Sequence, residues 1–469
     1  MPDRFLSKAS AHNHNIAQPD LHGMSPSQVA TLPGMGPQTS GDWILCGFMV
    51  VGLFVIFYGS FIGNVFQPLI YTMQRAHWSK AFIRPSILWG ITGSVFLAFR
   101  TILWFCYRPF PSARHADAPS LTVIIPAYNE GAMVEKAIYS VLAADYPRDR
   151  LEVYVVDDGS TDDTWRYIQT AAKKYPHLVT PFRFPQNRGK RAALEKGFRL
   201  ARGKIVLTVD SDSVIEHGTL LALAGPFQNP RIGAVAGKVL VYNQNQGIIP
   251  KMLHVRYVLS FDFLRAVQST YGTVYCCPGA LAAYRTSVVR QVLKPWMSQR
   301  FLGTRCTYGE DRSMTNFILS LGYDSVYQRT GIVHTVVPWT YQKLCKMYLR
   351  WDRSYVRETI RFARIVWKRP FWPRLISLLD LFITNLRYPI GWASLVLFVI
   401  LSISDPVTIL RLFCVIGFFS SLNMVYYLYT ERSWLFLYGI LYAYFSFLTL
   451  LWVFPYALVT VRARTWGTR

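Results

Sequence analysis

LTVIIPAYNEG, residues 121–131, decides the fold. A short, β-branched apolar run ends in the turn Ala127-Tyr128-Asn129-Glu130-Gly131, and a helical stretch follows to residue 143. The pattern then recurs. EVYVV (152–156) ends in Asp157-Asp158-Gly159-Ser160, after which Thr161-Asp162-Asp163 supplies capping residues for a helix. KIVLTV (204–209) ends in Asp210-Ser211-Asp212, and residues 232–241 form a further strand candidate. Strands alternating with helices predict an α/β sheet, mostly parallel. Ligands of such sheets bind beyond the carboxyl ends of the strands. Three successive strands here end in polar or acidic residues, which is where a nucleotide is expected.

Outward from that core the chain turns apolar. Of its 469 residues 52% are hydrophobic, 15% aromatic and only 16% charged, against about 25% in soluble domains. The mean hydropathy of +0.20 excludes disorder, collagen and coiled coil. Residues 43–63 carry no charge and are long enough to span about 30 Å of hydrocarbon. A second run, 87–107, is broken by Arg100, which can snorkel from a helix end. Apolar runs return at 391–404, 407–429 and 434–461, with a further stretch at 375–386 that carries Asp380. The sequence therefore predicts a polar flexible tail (1–42), two N-terminal transmembrane helices (43–107) and a globular domain (108–338). Amphipathic interface helices (339–372), three or four C-terminal spans (373–462) and a basic tail (463–469) follow. The basic C-terminal end favours the cytosolic side, which asks for four C-terminal spans. Arg75, Lys80 and Arg84 in the first connecting loop oppose that orientation.

The net charge of +24 suits an anionic membrane face or anionic substrates. The basic residues are spread among membrane flanks and form no single stripe, so nucleic-acid binding is not expected. The seven cysteines show no CxxC and no ligand spacing, which reads as reduced thiols with no disulfide framework and no zinc site.

Within the globular part, Asp210-Ser211-Asp212 reads either as a capped turn or as carboxylates for a hard divalent cation. Asp157-Asp158-Gly159 reads as a turn or as a contact to ribose, base or metal. Gly189-Lys190-Arg191 reads as a solvated face or as a phosphate contact. Gly309-Glu310-Asp311-Arg312 opens a helix, where a carboxylate is favoured by the dipole or acts as a general base. Arg350-Trp351 lies in a basic amphipathic stretch. Arg there can clamp a diphosphate and Trp can stack on a sugar, or both can mark a membrane-surface helix. Cys276-Cys277-Pro278-Gly279 reads as a tight buried loop, and His334 as structural or as a ligand.

In order, the motifs IIPAYNE, VVDDGS, GKRAAL, VDSDS, CCPGALAAYR, GEDRSMTN and RWDRSYVRE resemble the processive, membrane-embedded family-2 glycosyltransferases. Hyaluronan synthases and rhizobial chitin-oligosaccharide synthases are the branches most similar, over about residues 120–360. The resemblance implies an α/β GT-A (Rossmann-like) domain inserted between transmembrane helices of a multi-span protein. It also implies an integral plasma (inner) membrane location with the catalytic domain cytosolic, a UDP-sugar donor, and Mg²⁺ or Mn²⁺. The product implied is a β-linked polysaccharide, elongated and translocated through the enzyme's own channel. Carried over residue by residue, Ala127, Tyr128, Glu130, Asp158, Lys190 and Asp210 bind the nucleotide, and Asp210 and Asp212 hold the metal. Asp311 is the base with Glu310 beside it. Arg350, Trp351, Cys277 and Gly279 meet the diphosphate and the acceptor. One departure stands out. Met347 occupies the position of the Gln in the family's Gln-x-x-Arg-Trp, which leaves a non-processive transfer of one sugar to a lipid carrier or headgroup as the alternative. The Gly-Glu-Asp triplet is closer to the chitin-oligosaccharide branch, whereas residues 352–358 are closer to the hyaluronan branch.

Overall fold

The computed structural model describes residues 40–64, 67 and 85–463. Residues 1–39 of the polar tail, Arg75, Lys80 and Arg84, and 464–469 of the basic tail lie outside the described residues.

The strands are β1 (Leu121–Ala127), β2 (Leu151–Asp157), β3 (Val179–Arg183), β4 (Ile205–Val209), β5 (Ser213–Ile215), β6 (Ile232–Val241), β7 (Leu281–Arg285), β8 (Arg300–Phe301), β9 (Thr304–Arg305) and β10 (Asp324–Thr335). Eight of them form one sheet in the order β3-β2-β1-β4-β7-β6-β10-β5, and β8 with β9 makes a separate hairpin. β1, β2, β4 and β6 are the strands the sequence pattern predicts. All seven residues of β1 are buried, as expected for a strand covered on both faces. The sheet is mixed, where the pattern suggested mostly parallel pairing. β7 runs antiparallel between β4 and β6, and β5 is antiparallel to β10. The register of β7 matters most for the site: Val209 pairs with Leu281, so residues just before β7 lie beside residues just after β4.

Helices α1 (Ser40–Ile62) and α2 (Pro85–Cys106) precede the sheet. Interleaved with its strands are α3 (Lys190–Leu200), α4 (Ile248–Tyr257), α5 (Thr286–Met297) and α6 (Glu310–Ser320). After it come α7 (Tyr341–Ile365), α8 (Phe371–Ser404), α9 (Val407–Glu431), α10 (Phe436–Thr449) and α11 (Val453–Val459). Among the described residues, two helices, Gly41–Ile62 and Val407–Glu431, are long and apolar enough to cross a membrane. The count becomes three if α10 and α11, bent by 52° at their break, form one broken span. The single run expected at 434–461 is thus divided. Conversely, the stretches 375–386 and 391–404 are one helix, α8, continuous through Pro389. The two charges that interrupt the apolar runs answer each other. Arg100 of α2 meets Asp380 of α8 at 2.6 Å and donates to Thr384 Oγ1 at 3.0 Å. Pairing is how ionisable groups in apolar helices are tolerated.

Candidate active site

The site forms where the ends of β1, β2, β4 and the approach to β7 converge. At the end of β1, Asn129 adopts a left-handed backbone (φ 53°), and its Oδ1 accepts the N–H of Thr161 at 2.9 Å. Thr164 Oγ1 accepts the N–H groups of Glu130 (2.7 Å) and Gly131 (2.9 Å). Ser211 Oγ donates to Glu130 Oε1 at 3.1 Å, which ties the β1 turn to the β4 turn. Ala127 is buried at the strand end, and its carbonyl accepts the N–H of Asp158 at 2.8 Å.

Asp158 is buried, and both its oxygens face backbone. Oδ1 accepts the N–H of Arg188 and Oδ2 that of Gly189, each at 2.8 Å. Burial raises its pKa above the ordinary carboxylate value, against the lowering effect of those two bonds. Gly159 beside it has φ +75°, and a Cβ there would lie 2.5 Å from the carbonyl carbon of Gln186. The β2 turn therefore grips the loop that delivers Lys190 to the start of α3.

Lys190 Nζ pairs with Asp210 Oδ1 and lies 3.6 Å from Glu310 Oε1. Burial works to lower its pKa, but Asp210, Glu310 and Asp311 outweigh that and raise it, so the ammonium stays charged. Gly279 completes the enclosure: a Cβ on it would stand 3.1 Å from Lys190 Nζ and 3.6 Å from Asp210 Oδ1. Its N–H donates to Asp311 Oδ2 at 3.3 Å, and Cys276 Sγ donates to the same oxygen at 3.5 Å. Asp311 Oδ1 accepts the N–H of Arg312 at 2.7 Å. Asp311 is thus held at the first turn of α6 with its carboxylate turned toward the Lys190–Asp210 pair.

The two cysteines of the motif have different roles. Cys277 is fully buried in the core and its N–H donates to Thr315 Oγ1, while burial pushes its thiol up to about 12. Cys276 is the one that touches Asp311, and burial, reinforced by Asp311, keeps its thiol protonated. His334 lies 2.9 Å from Glu216 Oε1, an arrangement internal to the fold.

Arg350 and Trp351 sit on α7, which Thr340 caps at its start. The Trp351 ring is half-buried among Tyr348 (5.8 Å), Tyr257 (6.1 Å) and Phe261 (6.5 Å). Tyr348 OH meets Tyr442 OH of α10 at 2.7 Å. Tyr257 feels charge from both sides of this group. Burial chiefly raises its phenol pKa; the Asp212 charge adds to that and the Arg350 charge opposes it. Met347 is buried, and Tyr257 OH points to its sulfur at 3.9 Å. The helix also backs the Asp311 turn. Arg312 lies 4.7 Å over the Tyr355 ring, and Arg357 donates to the Tyr308 carbonyl.

Tyr257 and Cys276 are the site neighbours that the sequence reading missed. Cys276 was signalled by its place in the Cys276-Cys277-Pro278-Gly279 motif. Nothing in the local pattern of α4 marked Tyr257.

Among the described residues no group of three or more His, Cys, Asp or Glu side chains converges as a complete metal cage. Asp212 Oδ1 accepts from the hydroxyls of Ser213 (3.1 Å) and Thr335 (3.2 Å). Two carboxylates after one strand fit Mg²⁺ or Mn²⁺ of the kind completed by substrate phosphates.

Residues 122–293 match the family described as Glycosyl transferase family 2. An N-acetylglucosaminyltransferase of Azorhizobium caulinodans is 33% identical over 248 residues, 53% of this chain and 62% of that protein. One of Rhizobium meliloti is 36% identical over 245 residues, 51% of this chain and 57% of that protein. The chain thus spans about six-tenths of the length of those two relatives. A hyaluronan synthase of Streptococcus pyogenes is 30% identical over 398 residues, 81% of this chain and 90% of that protein. Among solved structures, a mannosyltransferase of Pyrobaculum calidifontis in complex with GDP-Man and Mn²⁺ superposes with a TM-score of 0.50 at 21% identity. It covers 79% of this chain and 96% of that one, a likeness of fold alone.

Proposed function

This chain belongs to glycosyl transferase family 2, and from that premise we propose that it is a membrane-embedded, inverting UDP-sugar transferase. It adds sugar to the growing end of a β-linked polysaccharide, hyaluronan-like or chitin-like, and passes the polymer through its own membrane helices. Its catalytic domain faces the cytosol from the plasma (inner) membrane. The observation that carries this reading is the convergence of Lys190, Asp210, Glu310 and Asp311 around Gly279, whose missing side chain lets them meet.

In this mechanism Ala127, Tyr128, Glu130 and Asp158 bound the nucleotide end, Asp158 acting through the Arg188–Gly189 backbone that it holds. Lys190 and Arg350 face the diphosphate and stabilise the charge that grows on it as the sugar leaves. Asp210 and Asp212 would hold a divalent cation, Mg²⁺ or Mn²⁺, which when bound would neutralise charge on the diphosphate. Asp311 takes the proton of the acceptor hydroxyl as its oxygen attacks the anomeric carbon from the face opposite the leaving group. One displacement turns an α-linked donor into a β-linkage. The N–H of Gly279 and the thiol of Cys276 orient the Asp311 carboxylate, and Trp351 offers its ring to the acceptor sugar. Cys277 supports the loop from within the core.

The test is UDP release by purified protein with Mg²⁺ or Mn²⁺ on UDP-GlcNAc, UDP-GlcA, UDP-Glc and the GlcNAc/GlcA pair, with products sized on a gel. Long product is expected, and no UDP release from any donor sinks the reading. A need for both sugars identifies a hyaluronan-like product, and turnover on one sugar a chitin-like or glucan product. A second reading, single-sugar transfer to a lipid, draws on Met347. A buried thioether stands where related enzymes carry an amide, and short lipid-linked product would favour it.

A further inference from the structure

A cleft of about 330 Å³ lies between the C-terminal ends of α3 and α5 and the β8–β9 hairpin. It is lined by Arg199, Lys294, Met297, Ser298, Arg300 and Arg305. We propose that this cleft binds a phosphate-bearing anion.

Leu302 (φ 47°) and Gly303 (φ 79°) are both left-handed, which is the backbone of a two-residue turn between twisted strands. That turn fixes the register so that Arg300 stands directly opposite Arg305. Like charges in directly opposed positions repel and destabilise a strand pair. Two more cations, Arg199 and Lys294, close the same cleft from the helices. Arg199 has a carboxylate partner, Glu195, at 2.8 Å. Lys294, Arg300 and Arg305 make no ion pair among the described residues.

The alternative source of compensation is the C-terminal end of α5. Its carbonyls supply about half an elementary negative charge, enough for one nearby cation but not for three. All four cations are solvent-exposed, so water screens part of their repulsion, and an anion seated in the cleft relieves more of it. Guanidinium forks match the oxygens of phosphate, and several of them around one concave space favour phosphate over a single carboxylate. The volume suits a phosphate headgroup or a small phosphorylated molecule.

The cleft is wired to the neighbouring acidic turn. Trp296 Nε1 donates to the Glu310 carbonyl at 3.1 Å, and Gln299 Nε2 donates to Glu358 Oε1 of α7 at 2.7 Å. These two residues flank Met297 and Ser298 of the cleft wall. The inference stands on this geometry and does not depend on the donor or the product proposed above.

The test uses the full chain in nanodiscs, with UDP and Mg²⁺ present throughout so that diphosphate binding at Lys190 does not contribute. In neutral phosphatidylcholine, inorganic phosphate and pyrophosphate are titrated by calorimetry. In a second arm the discs contain phosphatidic acid and the unfolding midpoint is read. Arg300→Gln/Arg305→Gln is expected to weaken binding about tenfold or more, while Arg300→Lys/Arg305→Lys, which keeps the charge but not the fork, loses less. Lys294→Gln alone gives a smaller loss and serves if the double variant does not fold. Variant-sensitive binding in neutral discs identifies a free anion. A variant-sensitive gain in midpoint confined to phosphatidic acid identifies a lipid headgroup. Equal behaviour of wild type and the glutamine variants in both arms overturns the proposal.

Discussion

Asp158 and Asp210 each follow a buried strand of the same sheet, β2 and β4, yet their carboxylates meet different company. At the β2 end, both Asp158 oxygens are used by the backbone of Arg188 and Gly189, and Gly159 lies against the backbone of Gln186. That region is closed on itself. At the β4 end, Asp210 meets a lysine, and a glycine leaves space beside them where Asp311 arrives from α6. A carboxylate whose acceptors are consumed by fixed backbone holds shape, while one paired with a side-chain cation can exchange partners with a substrate. The β2 end is therefore read as scaffold and the β4–β7 end as the place where bonds change.

The largest expected effect probes the open end. Asp311→Asn removes the base and keeps the side chain's shape, with one oxygen left to accept, so transfer should fall by about a thousandfold or more while UDP affinity barely moves. Loss of UDP binding in that variant would instead make Asp311 part of the scaffold. The closed end is broken most directly by Gly159→Ala. The left-handed backbone and the approach to Gln186 backbone leave no place for the methyl, so stability should drop by about 2–4 kcal/mol in denaturant unfolding. A fully stable variant would show that the β2 turn is looser than the contact implies.

Gly279→Ala sharpens the contrast, because the tight approach of its Cβ, 3.1 Å, would be to the flexible end of Lys190, with Asp210 at ordinary contact distance. Stability should stay within about 0.5 kcal/mol, while KM for the donor rises several-fold. A large unfolding effect with unchanged KM would reverse the assignment of the two ends. The smallest effect is in pH. Burial raises the Asp158 pKa, so its contribution to stability is full below the unfolded carboxyl value near 3.9 and is lost as pH rises through the raised folded value. The stability of wild type relative to Asp158→Asn should therefore shrink as pH climbs from about 4 toward neutrality. A difference that grows with pH would mean that the two backbone N–H groups outweigh burial.

Much of the fold was legible because its signals are local. β1, β2, β4 and β6 are runs of apolar, largely β-branched residues that end in turn formers, and each lies within a residue or so of its expected limits. β7 and β10 were not read. β7 is Leu-Ala-Ala-Tyr-Arg, mostly small residues with weak strand preference, and its pairing partners are far away in sequence. β10 carries Gln328, Arg329 and Gly331 through an irregularity in its register, which hides its alternation. The apolar helices were legible as apolar runs, but their breaks were not. Pro389 leaves α8 continuous, whereas the apolar residues at 450–452 mark the bend between α10 and α11.

The sequence by itself determined the chemical inventory: acidic strand ends, a lysine at a helix start, Glu310-Asp311 at another, and Arg350-Trp351 on an amphipathic helix. Each depends on a short-range rule, a strand period, a cap or a helix face. Only the tertiary structure decided who faces whom. Inserting β7 antiparallel brings Gly279 to Asp210 and Lys190 and selects Cys276 over Cys277 as the neighbour of Asp311, and the packing of α4 brings Tyr257 to the Trp351 ring and the Met347 sulfur. The physical reason is that side-chain type is carried by each residue alone, whereas proximity across tens of residues is fixed by which strands exchange hydrogen bonds and which apolar faces pack together.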